Sequence, residues 1–158
     1  VSEQVRQARI EDAAATAIEL RKAVAGLTDE QLDTPYRPDG WTVRQVAHHV
    51  ADASMTMYAR FKLALTEPKP LVKTFEESEW VKLADSATMP VEPSLLILEG
   101  LHARIDTVLR SLPAEAFSTT FMHPANGEMT LDKLLAYFAW HGKHHIAHIT
   151  SLRDRMGW

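Results

Sequence analysis

At 158 residues, 46% apolar and 24% charged, the chain has the composition of one globular domain and is too short for two comfortable cores. Its net charge of −4 argues against nucleic acid and anionic membrane as partners, and the absence of cysteine removes disulfides, thiolate ligands and a Cys nucleophile. No apolar run approaches the ~20 residues of a membrane span, and the polar start does not read as a signal peptide, so one cytoplasmic domain over residues 1–158 is expected.

From Ser2 to Ala25, Ile10, Ala13, Ala17, Leu20 and Val24 recur at steps of three and four, a bundle-type helical stripe that Gly26 ends. Thr28 to Gln31 has the form of a capping box and predicts a short helical turn before Pro35, Pro38 and Gly40 impose a loop. A second capping box, Thr42 to Gln45, launches a helix to about Thr66 with the stripe Val43, Val46, Val50, Ala53, Met57, Phe61 and Ala64. His48 and His49 lie inside this helix. His49 falls nearer the buried face, although a modest rotation exchanges the two.

Residues 67–93 hold Pro68, Pro70, Pro90 and Pro93 and no sustained period, which predicts a long excursion with one short helix from about Phe75 to Ala84. Connections of this length commonly cover a site or make an interface. A third long helix, from about Pro93 to Ser111, carries Leu98, Leu101, Ile105 and Val108, and Pro113 stops it. A helical turn near Ala114 to Phe117, an extended piece through Phe121 and a turn at Asn126-Gly127 follow. Thr130 caps a fourth helix reaching about Arg153. Four long amphipathic helices without convincing strands make the expected class all-α, a four-helix bundle.

The fourth helix carries W-H-G-K-H-H-I-A-H-I from Trp140 to Ile149, which places four of the chain's eight histidines within eight residues. Measured against Leu131, Leu134, Leu135, Phe138, Ile149 and Leu152, His145 lies near the centre of the apolar face and His141 on the same side. His148 sits at its edge and His144 faces solvent. Neutral imidazoles at i and i+4 on an inward face can converge on one cation, and a third ligand must come from another helix. The proposed set is His49, His141 and His145, with His48 the alternative to His49 and both His48 and His148 possible supporting groups. His102 and His123 have no partner by spacing and read as surface or loop residues. Gly142 stands where an H-E-x-x-H protease has its glutamate, so that mechanism is excluded. Asp52 is the carboxylate nearest by helical position and a candidate catalytic group. Arg60, three turns beyond His49, is a candidate for binding an anionic part of a small-molecule substrate. Nitrogen-rich open sites suit Zn2+ first and Ni2+ second, one ion per chain.

These residues also carry a resemblance. P-D-G-W-T-V-R-Q-V-A-H-H-V-A-D at Pro38–Asp52 and the closing run at Trp140–Ile149 resemble the DinB-like superfamily and, more closely, its YfiT branch, with similarity from about Thr28 to Trp158. The resemblance implies a four-helix bundle, a divalent metal on three histidines and frequent homodimers. It also implies a metal-dependent hydrolase using activated water, with thiol S-transferases among the wider relatives. Matching the tryptophans puts the family's histidines on His49, His141 and His145, and the adjacent His48 leaves the first open by one residue. A metal-stabilised, non-catalytic binding module is the competing class, and an open position facing a pocket separates it from an enzyme.

Overall fold

A computed structural model describes residues 1–158. Four long helices form the bundle: α1 (Glu3–Val24), α3 (Val43–Thr66), α6 (Glu92–Ser111) and α7 (Leu131–Met156), with single turns α2 (Asp29–Leu32), α4 (Glu77–Trp80) and α5 (Ala84–Ala87) between them. Both capping boxes form. The Thr28 and Thr42 hydroxyls accept from the Gln31 and Gln45 backbone N–H groups, and each glutamine side chain returns a bond to its cap. Thr130 caps α7, and Gly157 in the left-handed region ends it.

Around the bundle, α1 and α3 each pack on both α6 and α7, so the first two long helices are diagonal rather than adjacent. Where α1 meets α7, the helices approach so closely that a Cβ on Gly142 would lie 2.5 Å from Thr16 Oγ1. The core divides into two apolar halves. One gathers Ile10, Met57, Phe61, Ile105 and Phe138, and the other Leu20, Val46, Val50, Leu98 and Ile149. On α6 and α7 the buried His102 and His141 fall between these sets, and His49 on α3 lies beside the changeover from Val50 and Ala51 to Ala53.

Two expectations need correction. Thr120–His123 (β1) and Gly127–Thr130 (β2) form an antiparallel hairpin where no convincing strand was expected. Strands of four residues show too little alternation to be read, and the turn at Gly127, φ +69°, is what betrays them. The short helix expected over Phe75–Ala84 is two separate turns, because Leu83 is extended and serves as N-cap of α5. The start of the excursion is tied to the hairpin: Val72 N–H donates to the Met122 carbonyl at 3.0 Å, and Met122 N–H to that of Pro70 at 2.8 Å. Lys73 to Glu77 thereby lie beside α3 and α7, next to the hairpin.

Candidate metal centre

The α3 and α7 registers bring His49, His141 and His145 together, with one ring nitrogen from each within 4.8 Å of the others. His49 and His141 are 3% and 4% exposed, and their Nε2 atoms are 3.1 Å apart. Burial holds all three rings neutral, pushing His49 down to about 4, His141 to about 3 and His145 to about 2, with the neighbouring imidazoles adding to the shift at His141 and His145. His145 Nδ1 is buried without a hydrogen-bond partner.

This donor set fits a divalent ion. Neutral imidazoles are the protonation state a metal requires. Tetrahedral zinc with Zn–N bonds of ~2.0–2.1 Å has N···N edges of about 3.3–3.4 Å, close to the 3.1 Å between the two Nε2 atoms. Trp41, missed as a site residue in the sequence, forms a wall: its ring lies 4.7 Å from that of His49 and stacks on His145 at 6.3 Å.

His48 has other work. Its Nε2–H donates to the Met89 carbonyl at 3.0 Å, so its Nδ1 accepts from Ser94 Oγ–H at 2.6 Å. It is a buried neutral tie from α3 to the 67–93 excursion and the start of α6, outside the three-histidine group. His148 stacks on Tyr36, with ring centroids 4.1 Å apart. It joins His144 and His145 in a second, more exposed histidine group. Arg37 and Arg155 line the hollow beside His144 and His148, a positive setting less suited to a cation.

His102 is not a surface residue. It is 2% exposed, donates from Nδ1 to the Ala13 carbonyl at 2.6 Å, accepts from Ser54 at 3.1 Å and stacks on Phe138. With both ring nitrogens satisfied, it joins α6 to α1 and α3. Histidine spacing does not reveal this role because the partners are a backbone carbonyl and a serine.

A cavity of about 300 Å³ opens beside the centre. His141 is part of its wall, with Ala53, Met57 and Arg60 from α3, Phe75 and Glu77 from the excursion, Phe121 and His123 from the hairpin, and Tyr137 from α7. His123 is thus a cavity residue, and Tyr137, silent in the sequence, stands one turn before His141. Asp52 does not line this cavity. It is half-buried, and burial first, then the Asp85 carboxylate, raises it to about 6. No helix is long and apolar enough to cross a membrane.

Residues 14–149 match the model of the DinB superfamily. The chain belongs to the DinB superfamily. A protein of Geobacillus thermodenitrificans, named as a proposed metal-dependent hydrolase, is 56% identical over 140 residues, which are 88% of this chain and 79% of that one. One of Bacillus cereus with the same designation is 54% identical over 140 residues, 89% and 80% of the two chains. The structure of YfiT from Bacillus subtilis, described as a proposed metal-dependent hydrolase with an unusual four-helix bundle topology, superposes with a TM-score of 0.97 at 45% identity, covering 100% of this chain and 91% of that one. The four-helix bundle protein TT2238 shares the fold at a TM-score of 0.66 and 20% identity, covering 92% and 98%. Within the DinB fold, the diagonal placement of α1 and α3 is the arrangement built here.

Proposed function

We propose that this DinB-superfamily chain is a metal-dependent hydrolase of small molecules, with one divalent ion held by His49, His141 and His145. The observation that carries the reading is the cavity: three neutral imidazoles, two buried and one half-buried, converge where His141 also lines a half-apolar hollow. A purely structural site would be closed by a fourth protein ligand, and His148 is instead stacked against Tyr36. The names borne by the relatives support the same class of activity.

A bound ion supplies Lewis acidity, which acidifies a water nucleophile and polarises a carbonyl or phosphoryl oxygen. The chain's own residues do the rest. Burial keeps the ligands neutral near pH 7. Trp41 and Phe75 flank His49 and limit water around it. Zinc is the first choice of ion and nickel the second, on the nitrogen-only ligand set. Asp52 stands off the cavity, and we assign it no proton transfer.

The test offers the zinc-loaded protein an activated ester and, separately, a small thiol with an electrophilic acceptor, with His141→Ala and metal-free protein as controls. Zinc-dependent ester cleavage is the expected result. Zinc-dependent thioether formation without cleavage would make the protein a thiol S-transferase instead. The accompanying association is proposed to be a homodimer, which light scattering would report as about twice 17.8 kDa.

A further inference from the structure

Arg60 is an unusual cation in this fold. The two fully buried arginines are matched by carboxylates: Arg6 by Asp132 and Glu3, Arg44 by Asp33 and Asp29. Arg60 has no carboxylate oxygen within 4.0 Å. Its Nη2 donates to the Lys73 carbonyl at 2.9 Å, and its Nε is buried with no partner at all. Burial lowers its pKa, so the cation is held there at a cost in desolvation. Arg60 lines the same cavity as His141.

We infer that the substrate carries a carboxylate that Arg60 binds, joined through a short apolar body to the group that reacts beside His141. This rests on the proposed hydrolase site and specifies what enters it. The path between the two ends is apolar: Ala53 and Met57 succeed His49 at four-residue steps along α3, facing Phe121 and Leu134 across the cavity. From His49 to Arg60 the helix rises about 16 Å, and the reach is shorter because the longer arginine, leaning towards the N-terminus as helical side chains do, extends farther back than the histidine. His123 adds a second donor. Its Nδ1 accepts from the Ala125 and Asn126 N–H groups at 3.3 Å each, which leaves the ring proton of the neutral imidazole on Nε2. A monoanion suits the site better than a phosphate dianion, because there is one guanidinium and Glu77 shares the cavity with it. A planar fork also matches a carboxylate in two parallel bonds.

The probes are 3-phenylpropanoate, its neutral amide and phenyl phosphate, titrated by calorimetry into zinc-loaded protein and into metal-free protein. The carboxylate should bind at least about tenfold more tightly than the amide. Arg60→Met should erase that preference, and Arg60→Lys should keep part of it. Zinc content, measured on each variant, should stay at the wild-type level. A purely structural Arg60 would alter stability without changing the carboxylate-to-amide ratio. Equal binding of acid and amide, an unchanged ratio in Arg60→Met, or tighter binding of phenyl phosphate would each overturn the inference. A carboxylate held only by the ion would survive Arg60→Met and overturn it too. The preference is measurable in metal-free protein, so this inference and the hydrolase reading fail separately.

Discussion

Stripping the metal should leave a protein that acid destabilises steeply. In the folded state His49, His141 and His145 are held at about 4, 3 and 2, below the ordinary 6.5. The unfolded chain therefore binds protons that the native chain refuses, and stability falls as pH drops through 6.5 towards the folded values. Between pH about 7.5 and about 5.5 each histidine costs about 1.4 kcal/mol, or about 4 kcal/mol for the three. Asp52 has the opposite sign. Its folded carboxyl is raised from 3.8 to about 6, so the native state gains stability as pH falls through that window. By pH about 5.5 this gain is only about 0.8 kcal/mol. These four groups together cost about 3 kcal/mol, a large part of the ~5–15 kcal/mol of an ordinary domain, and the buried His48 and His102, also lowered, add to the loss. Urea unfolding of chelator-treated protein at several pH values measures it, and Asp52→Asn should steepen the loss. Stability that is flat or rises on acidification would refute a centre of three neutral imidazoles.

Replacing Gly142 by Ala tests the α1–α7 contact. The new Cβ would lie 2.5 Å from Thr16 Oγ1 and 2.7 Å from its Cγ2. Overpacking costs about 1–3 kcal/mol against a helix-propensity gain of ~1 kcal/mol, so thermal unfolding should show a net loss that disappears in a Thr16→Ala background. His48→Ala should lower stability by about 1–3 kcal/mol by leaving Ser94 and the Met89 carbonyl unpaired, while metal content stays unchanged.

Much of this architecture is legible in the sequence because it rests on local rules. The apolar stripes, the capping boxes at Thr28 and Thr42 and the cap at Thr130 mark the helices to within a residue or so at most ends, and the inward phase of His141 and His49 follows from the same 3.6-residue period. What escaped depends on partners distant in the chain. His102 is buried because Ala13 and Ser54 meet it across the bundle. His123 and Tyr137 become cavity residues only when the hairpin pins the excursion alongside α3 and α7. The choice between His48 and His49 was open by one residue, and the contacts of His48 with Ser94 and Met89 could not be read from spacing.

The most direct test is the metal content of protein purified without a histidine tag and exposed to limiting zinc, measured for single histidine variants. Wild type, His48→Ala and His144→Ala should each hold near one equivalent, and His49→Ala, His141→Ala and His145→Ala should hold almost none. Full occupancy in His49→Ala, or loss in His144→Ala equal to that in His141→Ala, would contradict a centre built from His49, His141 and His145.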